Sequence, residues 1–336
     1  MHASLAGRRQ ALLRSPWLKV GVQLLVGLAL IAALLSLDFG GLWRLLRGAD
    51  PALVALVVAL TFVYTYLLSE RWRLILRGLG VRVPIVPAFD LTMRGYFFGT
   101  VLPSNAGGDV VKAYLLSRRG APLAVGLLSA VLDRVAGMAA LAWMGAIAGW
   151  LAFAPQDVAA GASTLGLFLL AAAATLGGLF GPALVGWLET PLLRLAPRFL
   201  RPPLAGACGA LRALGSRPAI YLVAVLVSVP LQLFYIVQVH LLLLALHAPA
   251  DPARLTWAVT WATLAGALPI SFSGFGPRET AFVAALGSRD VGVAIGLLTG
   301  AMQVISGLPG GLLQLLERGS GGPRRLEAEP AAGEPR

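Results

Sequence analysis

Apolar residues in this chain come in long blocks, without the periodic spacing of a half-buried element. The blocks run over about 18–37, 52–69, 123–153, 162–188, 219–247 and 291–316. Each is near or above the ~20 apolar residues with which an α-helix crosses the roughly 30 Å hydrocarbon core of a bilayer. In lipid, backbone N–H and C=O groups must be satisfied within the segment, so such blocks become helices. The pattern predicts an all-α, polytopic integral membrane bundle of about six full spans. Two further stretches, 88–118 and 255–287, are apolar but interrupted by Gly, Pro and charge, and are expected as broken or re-entrant helical segments.

The connectors set an orientation. Basic residues gather before the first block (Arg8, Arg9, Arg14, Lys19), at Arg71, Arg73, Arg77 and Arg82, at Arg194 to Arg217, and at Arg318 to Arg325. The loop 154–161 has no Lys or Arg, and the loop 248–254 has only Arg254. By the positive-inside rule both termini lie in the cytoplasm of an inner-membrane protein, with 88–118 entering from the cytoplasmic side and 255–287 from the opposite one. The apolar run from Val20 to Leu37 is longer than a signal-peptide core and no small-x-small site closes it, so it is expected as a retained span. The expected organisation is a basic N-terminus over 1–17, one transmembrane domain over 18–317, and a disordered polar tail over 318–336.

Composition supports the membrane reading. Hydrophobic residues make up 58% of the chain and charged residues 12%, against about 25% charged in a soluble domain. The net charge of +12 sits mostly between the apolar blocks, where it suits anionic headgroups and not nucleic acid. The single cysteine, Cys208, excludes an intramolecular disulfide. His240 and His247 have no Cys or carboxylate at ligand spacing, so neither a metal nor another cofactor is expected. Pairs such as Gly145/Gly149, Gly177/Gly181, Gly296/Gly300 and Gly307/Gly311 permit close helix contact.

The chemistry concentrates in the interrupted stretches. One reads Gly99-Thr-Val-Leu-Pro103-Ser-Asn105-Ala-Gly-Gly108-Asp109-Val-Val-Lys112-Ala-Tyr114. The other reads Gly266-Ala-Leu-Pro269-Ile-Ser-Phe-Ser-Gly274-Phe-Gly276-Pro277-Arg278-Glu279-Thr-Ala281-Phe282. Both run Gly, Leu-Pro, Ser, a Gly pair, charge, then Ala-aromatic, a weak internal repeat that pairs Gly108 with Gly276 and Tyr114 with Phe282. Paired Gly/Pro breaks in two halves point to a transporter's binding site. Gly276 as cap, Pro277 at the first helical position and Glu279 in the first turn mark a helix start, whose free N–H groups favour an anion such as phosphate. The plainer alternative makes these breaks turns between ordinary helices, with Asp109 and Lys112 pairing three residues apart.

Asp133 and Arg134 lie about ten residues into an apolar block, where charge is costly unless paired or facing a cavity. Arg94 is an expected partner for Asp133, and Asp109 for Arg134. Gln232, Tyr235, Gln238 and His240 give one late span a polar side, and Gln303 does so for the last. These fit interhelical hydrogen bonding as well as substrate contact.

At these residues the chain resembles the flippase-like membrane family that includes the transmembrane domain of lysylphosphatidylglycerol synthases. The resemblance rests on Arg71-Trp-Arg73, on Pro103 to Leu116 followed by Ser129-Ala-Val-Leu-Asp133-Arg134, and on Pro269 to Phe282. It implies a multi-pass membrane protein that moves an amphipathic lipid between leaflets. It carries the charged motif positions over to Asp109, Lys112, Asp133, Arg134, Arg278 and Glu279. Where the family often has Gly-Glu and Arg, this chain has Gly108-Asp109 and Lys112; Lys lacks the bidentate phosphate geometry of Arg. The candidate substrate-binding set is Asn105, Gly108, Asp109, Lys112, Asp133, Arg134, Gly274, Gly276, Arg278 and Glu279.

Three functions compete: lipid translocation, a membrane-embedded lipid-modifying transferase, and a non-transporting partner of a lipid-biosynthesis complex. No catalytic residue is expected, since the acidic residues are isolated and the histidines peripheral. No Gly-x4-Gly-Lys-Ser/Thr occurs, so translocation draws on a gradient, a partner or the substrate's own imbalance. The expected partners are a membrane lipid, lipid-biosynthesis enzymes and a second copy of the chain.

Overall fold

The computed structural model describes residues 39–101, 105–153, 158–195, 218–267 and 274–319, with 205, 208 and 212 between the third and fourth stretches. The expected first span, the segment 1–17 and the tail from 320 lie outside the described residues.

The described residues are helical throughout their long stretches, as backbone in lipid requires. A short helix, α1 (Phe39–Arg47), comes first. Its Leu42 joins the main core, while Trp43 is exposed with the Arg47 guanidinium 4.6 Å above its ring. Hydropathy does not predict α1, because nine residues are too few to register as a span. Asp50 then caps α2 (Pro51–Gly78), accepting from the Ala52 N–H at 2.8 Å, with Pro51 in the first turn. Four more long apolar helices follow at α5 (Leu123–Phe153), α6 (Val158–Leu195), α7 (Pro218–Ala245) and α10 (Arg289–Gly319). Among the described residues these five are long and apolar enough to cross a membrane.

The interrupted stretches are helical hairpins. α3 (Ile85–Val101) returns as α4 (Asn105–Arg118), and α8 (Pro252–Gly266) returns as α9 (Pro277–Leu286). At ~1.5 Å per residue their arms reach roughly 15–25 Å, short of the ~30 Å core. The antiparallel pairing shows in matched contacts. Gly108 lies against Gly95, and Arg119 reaches back to the Pro87 carbonyl. Gly274, at φ +79°, lies against Gly266, and Arg254 donates to the Ala285 carbonyl at 3.0 Å.

The two hairpins open at opposite ends of α2. At its start, the Asp50 N–H donates to Ala245 O at 2.9 Å, and Leu42, Leu246, Leu255 and Ala285 share one core cluster. At its end, Arg73 donates to Val83 O at 2.8 Å, and Trp72, Leu76, Val83, Ala88 and Leu116 form another. The expected inverted relation therefore holds for the hairpins. It does not hold residue by residue: Tyr114 is exposed, whereas Phe282 is buried. The reason is that α4 starts at Asn105, three residues before Gly108, while Gly276 itself caps α9. α10 runs past both hairpins on glycine flats, Gly296 and Gly300 against α9 and Gly307, Gly310 and Gly311 against α3.

Candidate functional site

Residues of both hairpins, together with α2, α5, α7 and α10, line a cavity of about 300 Å³. Four cations line it, Arg71, Lys112, Arg134 and Arg278, with the two carboxylates Asp109 and Asp133. Each charge is placed by a specific local feature.

Arg71 lies on α2 one turn beyond Leu68 and beside a polar seam. Thr61, Thr65 and Ser69 fall at four-residue spacing, and each hydroxyl donates to the carbonyl one turn back at 2.8 Å, so the seam is buried without orphan groups. The Arg71 guanidinium donates to Asp133 Oδ1 at 2.8 Å and to Ser228 Oγ at 3.0 Å. It fits because residue 137 is glycine: a Cβ there would stand 2.9 Å from Arg71 Nη1. The expected pairing of Asp133 with Arg94 is thus corrected. Arg94 instead donates to Asp90 at 2.7 Å and to Gln314 at 2.9 Å, and Arg119 reaches the same Asp90 at 2.5 Å, tying the base of the first hairpin to the last span.

Arg134, next in sequence to Asp133, faces a different helix, as adjacent helical residues do. It donates to Asp109 Oδ2 from Nε at 3.0 Å and from Nη2 at 2.6 Å, the pairing expected from the sequence. This leaves Lys112 without the carboxylate three residues before it. Its ammonium lies 4.2 Å from the centroid of the Trp72 ring, its partner among the described residues. The Trp72 indole is held in turn by a 2.9 Å hydrogen bond to Ser129.

In the second hairpin the helix start is built as expected, with Gly276 at φ +96° as cap and Pro277 first in the helix. The free N–H expected to receive an anion is already taken. The Gly276 N–H donates to Glu279 Oε2 at 2.5 Å, so α9 carries its own carboxylate at its N-terminus. The other oxygen of Glu279 lies 3.3 Å from Arg278 Nη2, while the Arg278 guanidinium stands 4.9 Å over Phe275. Arg278 Nε is buried with no hydrogen-bond partner among the described residues.

The candidate residues thus separate. Asp109, Lys112, Asp133, Arg134 and Arg278 meet at the cavity. Gly108, Gly274 and Gly276 shape the hairpins, and Glu279 supports Arg278 from behind. Asn105 opens α4, and its side chain lies outside the described part of the structure.

The rest of the wall is neutral and polar, including Thr61, Tyr64, Gln232, Tyr235, Gln238 and Gln303. Tyr64 stacks on Tyr235 at 5.7 Å, and Gln232 donates to Gly137 O at 3.0 Å. His240 does not line the cavity, and among the described residues no cluster of three His, Cys, Asp or Glu gathers to hold a metal. Arg71 is not among the sequence candidates, although the Arg71-Trp-Arg73 motif marks it.

The family model described as the lysylphosphatidylglycerol synthase TM region matches residues 20–311. A UPF0104 membrane protein of Methanothermobacter thermautotrophicus is 35% identical over 99 residues, 29% of this chain and 28% of that protein. Others are 25% identical over 34% of this chain and 35% of the relative in Archaeoglobus fulgidus, and 27% identical over 35% and 36% in Methanocaldococcus jannaschii. The matched region thus spans about a third of each relative's length. No solved structure matches the chain.

Proposed function

The chain belongs to the family of the lysylphosphatidylglycerol synthase transmembrane region, and from that premise we propose that it moves an amphipathic lipid between the leaflets of an inner membrane, with both termini in the cytoplasm. One observation carries this reading. Two hairpins that open at opposite ends of the bundle line one charged cavity. Half-helices that meet near the bilayer midplane are how transporters build a site reachable from either side. A headgroup occupies the cavity while its acyl or prenyl tails stay in lipid.

The charge arrangement supports transport over lipid-modifying catalysis. A general base needs a carboxylate or imidazole within reach of a proton it can take. Asp133 and Asp109 are each engaged by an arginine, and Glu279 by its own helix.

The test is a leaflet-resolved assay in proteoliposomes, following a fluorescent lipid quenched from outside. The wild type accelerates exchange over protein-free vesicles, and Arg278→Ala slows it. Equal rates for the two proteins would remove Arg278 from the mechanism, and a wild type no faster than empty vesicles would remove the proposal.

A further inference from the structure

The cavity also carries information about which headgroup it holds, given the translocation reading above. Its lining has four cations and two carboxylates. Both carboxylates are spent, Asp133 on Arg71 and Asp109 on Arg134. The two cations left over are the less satisfied ones. Lys112 is buried against an aromatic face, which stabilises an ammonium without neutralising it. Arg278 is offset in part by a long 3.3 Å ion pair with Glu279, which is not among the residues lining the cavity, and its Nε is buried without a partner among the described residues. Buried cations in such a state call for an anion.

The neutral wall adds a second requirement. Gln238 is buried, and its Nε2 has no hydrogen-bond partner among the described residues. Its amide oxygen lies 3.1 Å from Thr61 Oγ1, but that hydroxyl already donates to Val57 O at 2.8 Å. That one proton is at best shared, and the shorter bond goes to Val57. Turned the other way, the Gln238 amide donates to Thr61 and leaves its oxygen unpaired. In either orientation one polar atom of Gln238 is unsatisfied. Buried polar atoms normally have partners, and a ligand hydroxyl, donor and acceptor at once, suits either orientation.

We propose that this cavity takes a lipid headgroup in which a phosphate is joined to a hydroxyl-bearing moiety, a polyol or sugar phosphate, with Lys112 and Arg278 on the phosphate and Gln238 on a hydroxyl. A cationic aminoacyl headgroup, such as a lysyl ester, fits poorly. It brings positive charge to a wall with a surplus of it, and among the described residues no lining carboxylate is free of a cation to receive an ammonium.

The experiment is lipid binding to the full chain in detergent, read by native mass spectrometry, alongside the leaflet assay. The panel is phosphatidylglycerol, phosphatidylinositol, phosphatidic acid, phosphatidylcholine, lysylphosphatidylglycerol and glucosyl diacylglycerol, with glycerol phosphate as the soluble competitor. The polyol phosphates bind more tightly than lysylphosphatidylglycerol and phosphatidylcholine by about tenfold or more, the worth of one charge-assisted contact. Lys112→Met and Arg278→Met each weaken phosphatidylglycerol by a similar factor and leave glucosyl diacylglycerol unchanged. Gln238→Leu erases the preference for phosphatidylglycerol over phosphatidic acid. The wild-type panel decides the matter even if a variant fails to fold. Lysylphosphatidylglycerol binding and crossing as well as phosphatidylglycerol would overturn the headgroup class and leave translocation standing. Selective binding with no crossing of any lipid would support the class and remove translocation. Glycerol phosphate displacing the lipid at equal concentration would overturn the lipid as the source of the phosphate.

Discussion

Arg71 of α2 and Asp133 of α5 form a 2.8 Å ion pair inside the helix bundle, at the wall of the charged cavity. The pair joins two spans far apart in sequence, and Ser228 of α7 adds a third through its hydroxyl. Its charges cancel each other, as those of Arg134 and Asp109 do, which leaves Lys112 and the partly offset Arg278 to face the cavity.

Removing one partner strands the other in a medium that disfavours bare charge. Asp133→Ala is expected to lower stability by about 3–5 kcal/mol, because Arg71 remains buried and unpaired. The double variant Arg71→Met/Asp133→Leu removes both charges and is expected to recover most of that loss while still failing to move lipid. Denaturation in a fixed detergent, paired with the leaflet assay, checks this. A single variant as stable as wild type would mean that solvent reaches Arg71.

Gly137 is the gap into which Arg71 fits. A methyl at this position would stand 2.9 Å from Nη1 and 3.3 Å from Nη2 of Arg71. Gly137→Ala is expected to push the guanidinium off Asp133 and slow lipid movement, at a stability cost of about 1–3 kcal/mol. Gly161→Ala is the control, since a Cβ there meets nothing within 4 Å; it should leave movement unchanged. Equal rates in Gly137→Ala and wild type would show that the Arg71 geometry does not limit transport.

The opposed hairpins predict sidedness. In a Cys208→Ser background, which removes the single native thiol, cysteines replace Arg82 at the open end of the first hairpin and Arg289 at that of the second, both exposed. A membrane-impermeant maleimide should label the two from opposite faces of sealed vesicles. Labelling of both from the same face would sink the inverted arrangement and the two-sided access built on it.

Much of this architecture was legible because lipid imposes a simple code. Long apolar blocks had to become spans, and the interrupted stretches between them had to become something other than plain spans. Asp109, Lys112, Asp133, Arg134 and Arg278 stood out as charges where charge is costly. Arg71 did not, because the apolar run ends near residue 69 while the helix continues to Gly78. Hydropathy marks the end of greasy sequence, not the end of a helix. The partner of Asp133 is hidden for a related reason: spacing along one helix says which face a residue occupies but not which helix will meet it. The role of Gly296 and Gly300 was equally hidden, since many glycine pairs share that spacing and only packing shows that these two seat Glu279 and Arg278.

Glu279 separates two contributions to the second hairpin. Its Oε2 accepts from the Gly276 N–H at 2.5 Å, and its Oε1 lies 3.3 Å from Arg278 Nη2. Glu279→Gln keeps an acceptor for the backbone and removes the charge, whereas Glu279→Ala removes both. The alanine variant is expected to lose about 0.5–2 kcal/mol, the worth of a helix cap, and the glutamine variant much less. With its one carboxylate contact gone, Arg278 in the glutamine variant carries an undiminished positive charge toward the cavity, so an anionic lipid should bind more tightly than to wild type. Denaturation of both variants together with phosphatidylglycerol binding gives the answer. Weaker binding in Glu279→Gln at wild-type stability would mean that the carboxylate positions Arg278 for its ligand rather than competing with that ligand.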